Sequence, residues 1–90
     1  MREIRSVNCL VVLIAVCVRG SLSFSEVLKL TKLNKSTLWE CLRRLNEMNM
    51  VSSKRVLTIA GPRVIVECEE EGYTVLRELR SALEGSEFSS

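Results

Sequence analysis

The order of apolar and polar residues along the chain predicts four helices and one β-hairpin. The first helix is expected from Glu3 to Arg19 and ends at Gly20, a residue that commonly caps helices. Its second half, Cys9 to Val18, carries apolar side chains around its whole circumference at 100° per residue. The β-branched residues there would also suit a strand, but the length of the run favours a helix. Such a helix must be covered on all sides, so we expect one face on the domain core and the other on a second subunit.

Two further helices are predicted, each with an amino-terminal cap. Ser23-Phe24-Ser25-Glu26 fits the S-x-x-E capping box, in which the serine accepts from an amide and the glutamate accepts from the serine amide. Asn34 is a favoured N-cap residue and begins a helix that extends to about Asn49. The apolar residues of that helix recur at i, i+4 and i+7 and form one stripe, at Leu38, Leu42 and Leu45. Two capped helices around a short turn predict a helix-turn-helix.

After the third helix, the spacing of apolar residues changes from a helical period to the alternation typical of strands. The runs 56–60 and 63–67 are rich in β-branched residues and flank Gly61-Pro62, so they predict a hairpin. Proline cannot donate a hydrogen bond to a β-ladder, so Pro62 is predicted at the tip. The acidic run 69–71 suits the positive end of a last helix.

The last helix is expected to reach Glu84 and to end at Gly85. These elements predict one domain over residues 1–85 and a frayed tail over 86–90. The fold class is mainly α with a small β-hairpin (α+β), in the order helix, helix, helix, strand, strand, helix.

Charge is distributed unevenly over the 90 residues. The net charge is only +2, but the segment 29–63 holds eight basic and two acidic residues, a local excess of +6 that leaves −4 for the rest. A chain polarised in this way has one region suited to a polyanion. A solvated basic surface with no partner is the alternative.

The cysteines stand at 9, 17, 41 and 68, without a C-x-x-C pair, and the chain has no histidine. Zinc sites use closely spaced ligand pairs, so no structural metal is expected. Cys9, Cys17 and Cys41 are predicted to be small core residues. A thiol-based redox sensor is the alternative, and the sequence alone contains nothing that supports it.

Arg2 and Arg5 precede the apolar run, an order that also occurs in secretory signal peptides. Ten apolar residues are too few to cross a bilayer, which takes about twenty. We therefore expect a buried helix, no membrane partner and a cytoplasmic location, with a signal peptide as the alternative.

The order of these elements resembles that of winged helix-turn-helix transcription regulators, in particular small MarR-like and ArsR-like proteins of prokaryotes. The likeness covers roughly residues 4–84. It rests on Phe24-Ser25-Glu26-Val27-Leu28, Leu33-Asn34-Lys35-Ser36-Thr37-Leu38, Leu42-Arg43-Arg44-Leu45, Met50-Val51 and Glu71-Gly72-Tyr73. Many relatives have a glycine where Asn49 or Met50 stands here, and asparagine tolerates the left-handed conformation of such a cap.

The resemblance implies binding of double-stranded DNA, with the third helix in the major groove and the hairpin, or wing, on the adjacent minor groove or backbone. Lys35 would meet phosphate, and Ser36 and Thr37 phosphate or base edges. Arg43 would reach guanine acceptors, unless it only pairs with Glu47 or Trp39 on the surface. The remaining implied contacts are Arg44, Lys54 and Arg55 with phosphate and Arg63 with the minor groove or phosphate.

For two residues of the third helix, the sequence is compatible with more than one role. Trp39 lies about 100° from the centre of the apolar stripe, so partial burial and DNA contact are equally compatible with its position. Glu40 faces outward, where it either accepts from a cytosine amine or marks a face that does not read bases.

The resemblance also implies a homodimer that presents two third helices to successive major grooves of a near-palindromic site. Its interface is expected on the first and last helices, at Leu10, Val11, Leu13, Ile14, Val18, Tyr73, Leu76, Leu79 and Leu83. No cofactor is expected, and the sequence does not identify a small-molecule effector.

A winged-helix domain that binds another protein and not DNA is the main alternative function. An enzyme is not expected, because the chain has no His and no Asp and its cysteines are dispersed, so no pair of base and nucleophile is visible.

Overall fold

The structure is a computed structural model that describes residues 7–88. The predicted beginning of the first helix and the last two residues of the predicted tail lie outside this range. Seven elements follow one another: α1 (Val7–Arg19), β1 (Ser21–Ser23), α2 (Phe24–Thr31), α3 (Lys35–Glu47), β2 (Val51–Thr58), β3 (Gly61–Cys68) and α4 (Glu70–Phe88). The order of the four predicted helices and of the hairpin is confirmed.

The capping box of α2 is present with both of its hydrogen bonds. The Glu26 amide donates to Ser23 Oγ over 3.2 Å, and the Ser23 amide donates to Glu26 Oε1 over 2.8 Å. That second hydrogen bond lowers the pKa of Glu26, because it stabilises the carboxylate form. At the start of α3, the Thr37 amide donates to Asn34 Oδ1 over 2.8 Å, so the predicted cap is confirmed.

Helix α3 is followed, after the C-cap Met48, by a left-handed residue, Asn49, with φ of 61°. The Met50 amide donates to the Leu45 carbonyl over 2.9 Å, and the Asn49 amide donates to the Asn46 carbonyl over 3.0 Å. This pair of hydrogen bonds is a Schellman motif, which satisfies the last carbonyls of the helix. Asparagine tolerates this left-handed conformation, as expected from the sequence.

The sheet has three antiparallel strands in the order β1-β3-β2, and β1 was not predicted. The predicted tip was wrong: Thr58 pairs with Gly61, so the loop is Ile59-Ala60, and Pro62 lies in β3 opposite Leu57. Because β1 pairs only with residues 65–67 of β3, one edge of β3 has no strand partner at Pro62. A residue without an N–H group is tolerated at such an edge.

The predicted end of the last helix was also wrong. Helix α4 continues through Gly85 to Phe88.

Helix α1 lies at the centre of the core, against α2, α3, α4, β1 and β3. Leu13 is fully buried there, which corrects its prediction as a dimer contact, because the chain's own side chains cover it completely. The other fully buried large side chains are Val12, Val16, Val27, Leu38, Leu42, Leu45, Val51 and Val66. The predicted stripe of α3 is therefore its core face.

All four cysteines are buried and joined in two disulfides. Cys9 of α1 is bonded to Cys41 of α3, and Cys17 of α1 to Cys68 of β3, each with a Cα–Cα distance of 4.9 Å. Cys9, Cys17 and Cys41 are core residues as predicted, but they are cross-links and not independent small apolar side chains.

Gly72 in the first turn of α4 allows a close approach between elements. A Cβ atom at this position would collide with the Met50 carbonyl oxygen and lie 2.9 Å from Cys68 Sγ and 3.0 Å from Cys17 Sγ. Only a residue without a side chain lets α4 lie this close to the second disulfide and to the backbone at Met50.

Candidate nucleic-acid interface

The outward side of α3 carries most of the residues predicted to bind DNA. Lys35 and Ser36 are exposed in its first turn, and Thr37, whose amide donates to the Asn34 cap, is half-buried. Glu40, Arg43 and Arg44 are exposed further along the helix. The helix is held from behind by its fully buried leucines, so this side is presented on a rigid support.

The two arginines of α3 are engaged in ion pairs on the helix surface. Arg43 Nη2 donates to Glu40 Oε2 over 2.6 Å, and Arg43 Nη1 donates to Glu47 Oε2 over 3.4 Å. Arg44 Nε donates to the same Glu40 oxygen over 3.2 Å. The surface pairing considered for Arg43 and Glu47 is therefore present, and Glu40 is the carboxylate shared by both arginines.

These ion pairs shift the pKa values of the groups involved. The hydrogen bond from Arg43, followed by that from Arg44, lowers the pKa of Glu40, and the hydrogen bond to Glu40 raises the pKa of Arg43. Glu40 is therefore ionised at neutral pH. From Lys35 to Glu47 the helix carries three basic and two acidic residues, a net charge of +1. A phosphate or base that contacts either arginine must compete with Glu40.

Trp39 is 46% exposed and stacks on Phe24 of α2. The ring centroids are 4.5 Å apart and the ring planes meet at 26°. This stack joins the two helices of the helix-turn-helix at their surface. Beside it, a groove of about 470 Å³ runs between α3 and the wing, lined by Trp39, Leu42, Arg43, Asn46, Glu47 and Ser53. Trp39 is therefore both partly buried and available at the groove.

The wing brings its basic residues to two different faces. In the register of the hairpin, Arg55 lies opposite Val64 and Arg63 opposite Val56, so the two arginines project to opposite faces. Lys54 Nζ lies 3.2 Å from Glu67 Oε2 of β3, so this lysine is already paired. Arg63 is three residues from the tip in β3 and not at the apex as predicted.

The apex of the wing is apolar, a feature that the sequence-based prediction missed. Leu57 and Ile59 are exposed by 86% and 109% of their reference areas. The alternating pattern of β2, continued beyond the end of the core, could have identified Leu57, because a strand that overhangs the core leaves both of its faces in solvent.

Helix α1 leaves a second apolar surface uncovered. Val11, Ile14, Val18 of α1 and Leu30 of α2 are exposed, and with Ala15 and Arg19 they line an open cleft of about 370 Å³. Among the other residues predicted for the dimer, Tyr73 and Leu83 are exposed, Leu10 is half-buried, and Leu76 and Leu79 pack partly against the core.

In the part of the chain that the structure describes, no group of three or more His, Cys, Asp or Glu side chains could hold a metal ion. Within the same residues, none of the helices is both long and apolar enough to span a membrane.

Two capped helices around a short turn, followed by a sheet that ends in a projecting hairpin, define the winged helix-turn-helix fold. Solved structures of transcriptional regulators share it. A transcriptional regulator homologue from Pyrococcus horikoshii OT3 superposes with a TM-score of 0.76 at 23% identity, over 93% of this chain and 87% of that one. A protein described as a MarR family transcriptional regulator, from Porphyromonas gingivalis W83, superposes with a TM-score of 0.78 at 14% identity, over 100% of this chain and 87% of that one.

A third similar structure is Bordetella bronchiseptica BpsR, whose DNA binding is regulated by 6-hydroxynicotinic acid. Its TM-score is 0.72 at 22% identity, and the match covers 88% of this chain but only 55% of BpsR. The present chain thus spans about half the length of that regulator. Comparison with protein families and with curated proteins found no match to this sequence.

Proposed function

We propose that this chain is a transcriptional regulator that binds specific sites in double-stranded DNA as a homodimer in the cytoplasm. The observation that carries the proposal is the exposed outward side of α3, which presents Lys35, Ser36, Arg43 and Arg44 on a capped helix beside a projecting hairpin. An α-helix of this kind fits the major groove of B-DNA. The helix would enter with its amino-terminal end, as in other helix-turn-helix proteins.

Each basic residue has a distinct part in this proposal. Lys35 lies next to the helix N-terminus, where backbone amides also favour a phosphate. Arg43 would leave Glu40 and Glu47 to bind guanine with two hydrogen bonds, while Arg44 would contact the backbone. Thr37 and Trp39 would border the bases or sugars. On the wing, Arg55 would face the groove beside α3. Lys54 and Arg63, on the opposite face of the hairpin, would contact the DNA backbone.

The second copy would cover the open apolar cleft on α1. Val11, Ile14 and Val18 would supply the centre of the interface, with Leu10, Tyr73, Leu76, Leu79 and Leu83 at its border. Exposed apolar patches of this kind commonly mark protein interfaces. Leu13 is not proposed again, since it is buried within the protomer.

Selection of bound duplexes from a random DNA pool tests this function, because it reports binding, sequence preference and half-site spacing together. We expect enrichment of a near-palindromic site with half-sites about 10 base pairs apart or a multiple of that. Arg43→Ala should relax the preference at one or two positions, whereas Lys35→Ala should weaken binding to all duplexes about equally and reduce the salt slope by about one. Arg80→Ala on α4 is the matched control and should leave DNA binding unchanged. Equal effects of the three substitutions on DNA binding would contradict the proposed position of α3 in the major groove.

The oligomeric state is tested separately by sedimentation of Ile14→Glu, which places a charge in the α1 cleft. We expect this variant to be monomeric at concentrations where the parent chain is dimeric. Leu57→Glu, which places the same charge on exposed apolar surface of the wing, is the control and should remain dimeric. If the Ile14→Glu variant is still dimeric, the proposed place of α1 in the dimer interface is wrong.

A protein-binding winged helix is the second candidate, and the apolar wing apex favours it. Leu57 and Ile59 are almost fully exposed, and Glu40 and Glu47 reduce the charge of the neighbouring α3 surface. This candidate predicts no affinity for random duplex in a mobility-shift assay at low salt. Duplex binding that weakens steeply as salt is raised would exclude it as the main function.

A further inference from the structure

The wing apex carries exposed apolar side chains on a turn of fixed shape. Leu57 and Ile59 are almost entirely exposed to solvent. The turn is closed by the ladder pair of Thr58 and Gly61, and Thr58 Oγ1 donates to the Gly61 carbonyl over 2.6 Å. Residues 57–62 contain no charged side chain. The apex is therefore a preformed apolar point, for which contact with another apolar surface would be favourable.

The apex continues the side of the wing that looks toward α3. Side chains two residues apart in a strand share a face, and so do ladder partners. One face of the hairpin therefore carries Ser53, Arg55, Leu57 and Pro62. Ser53 lines the groove between the wing and α3, and Pro62 lines a cleft together with Phe24 of α2. A duplex in contact with the outward side of α3 would meet this face of the wing, with Leu57 at its far end.

The charged residues around the apex are all basic. Residues 48–66 contain Lys54, Arg55 and Arg63 and no acidic residue. Arg55 precedes the apex on β2 and Arg63 follows it on β3, and the two project to opposite faces of the hairpin. The minor groove of DNA offers the complementary arrangement, because a strand of phosphates borders it on each side and stacked bases lie between them.

The apex is also narrow. Stable protein interfaces bury about 800 Å² on each partner, an area that two side chains cannot supply by themselves. The minor groove is only about 6 Å wide, and leucine and isoleucine are among the side chains that enter base steps from this groove. The size of the apex therefore matches a base step.

We propose that Leu57 and Ile59 form a wedge that enters the minor groove beside the site of α3 and partly separates two stacked base pairs, so that the protein bends its DNA. Insertion of apolar side chains from the minor groove kinks a duplex by roughly 20–90°. Arg55 and Arg63 would contact the phosphate strands on the two sides of the opened groove. This inference rests on the proposed DNA-binding function and adds a deformation of the bound DNA to it.

A wedge of this kind selects DNA by the ease with which a base step opens. The pyrimidine–purine steps TA and CA/TG unstack readily, whereas A-tracts are stiff. Leu57 and Ile59 have no side-chain hydrogen-bonding group, so a preference at this step cannot come from recognition of base donors and acceptors. The bound site should therefore contain a flexible step at a fixed distance from the bases that α3 contacts.

The test uses the duplex enriched in the random-pool selection, with a donor and an acceptor dye at its two ends and 2-aminopurine placed in turn at each adenine that flanks the α3 half-sites. Energy transfer measures bending, 2-aminopurine fluorescence measures unstacking, and anisotropy measures affinity. We expect the full chain to bend the duplex by roughly 20–90° and to raise the fluorescence at one flanking step. The Leu57→Ala/Ile59→Ala variant should bind without either signal. The Leu57→Met/Ile59→Met variant keeps long apolar side chains, so it is the matched control and should retain both signals.

A second measurement replaces the flanking step by an A-tract. We expect this change to weaken binding of the parent chain by about 5- to 150-fold, the range for one unfavourable base pair. The Leu57→Ala/Ile59→Ala variant should bind the two duplexes about equally. Arg43→Ala, which acts on a different base, should keep the dependence on the step.

Binding by the parent chain without bending or unstacking would overturn the wedge and leave the DNA-binding proposal intact. If the Leu57→Ala/Ile59→Ala variant bends DNA as the parent chain does, the wedge is also wrong, and a protein becomes the partner to test at the apex. If no duplex is bound at all, the DNA-binding proposal fails and the wedge fails with it. Both side chains are exposed, so we expect the variants to fold, which circular dichroism checks. If they do not fold, the bend and the fluorescence of the parent complex decide the proposal.

Discussion

The two disulfides should account for most of the stability of this small domain, and the size of the effect follows from the loops they close. Cys9 and Cys41 are 32 residues apart in the sequence. Cross-linking a loop of that length removes conformational entropy from the unfolded chain worth about 3.7 kcal/mol at 25 °C. One kcal/mol shifts the midpoint of thermal unfolding by about 4–8 °C in a domain of this size, so loss of this disulfide should lower Tm by roughly 15–30 °C.

The second disulfide closes a loop that overlaps the first. Cys17 and Cys68 are 51 residues apart along the chain, but the path through the first disulfide is shorter, with eight residues back to Cys9 and 27 from Cys41 onward. The loop of 35 residues contributes about 3.8 kcal/mol. The two contributions together approach the whole free energy of unfolding of an ordinary 90-residue domain, about 5–13 kcal/mol.

The assay is thermal unfolding followed by circular dichroism, at one protomer concentration so that any dimerisation is constant. The parent chain is compared oxidised and fully reduced, with Cys9→Ala/Cys41→Ala and Cys17→Ala/Cys68→Ala as single-disulfide variants. We expect the oxidised chain to be the most stable, each variant to be intermediate, and the reduced chain to be partly unfolded at 25 °C. A reduced chain with the same Tm as the oxidised one would refute the entropic reasoning.

Three further predictions concern positions outside the disulfides. Gly72→Ala should lower Tm strongly, because the new Cβ atom would collide with the backbone oxygen of Met50. A decrease in Tm no larger than that caused by the same substitution at an exposed helix position would contradict this close packing. Glu40→Gln should raise affinity for all duplexes at low salt in a mobility-shift assay, since it removes the charge shared by two arginines; weaker binding would instead indicate a cytosine contact. Glu26→Gln should be less stable than the parent chain at neutral pH. Because the folded state lowers the pKa of Glu26, its stabilising contribution is present above the ordinary value of 4.5 and is lost as the pH falls through the lower folded value, so the two unfolding curves should converge in acid.

The helices could be predicted because local chemistry determines them. The capping box at Ser23, the cap at Asn34 and the left-handed Asn49 are each satisfied within a few residues of chain, and all three are present in the structure. The apolar stripe of α3 likewise needs only its own periodicity to identify the core face. Elements of this kind can be read without knowledge of the tertiary fold.

The errors concern features that depend on distant partners. Strand β1 has only three residues and exists because β3, more than 40 residues later, pairs with it. Pro62 was placed at the tip because a ladder donor was assumed to be needed, but β1 is too short to reach it. The disulfides bring together cysteines 32 and 51 residues apart, and no spacing rule identifies such pairs.

The same distinction applies to the candidate DNA surface. Sequence periodicity correctly places Lys35, Ser36 and Arg43 on the exposed side of α3, but it cannot tell a free arginine from one that is already engaged. In this chain Glu40 binds Arg43 and Arg44 at once, so DNA binding has to exchange one set of charge-assisted hydrogen bonds for another. Such an exchange contributes little to affinity for arbitrary duplexes. It contributes more to discrimination between sequences, because only a base with two acceptors can replace both carboxylates of Arg43, those of Glu40 and Glu47. A regulator with this surface should therefore bind weakly to random DNA and depend on its specific site more than a helix with unpaired arginines would.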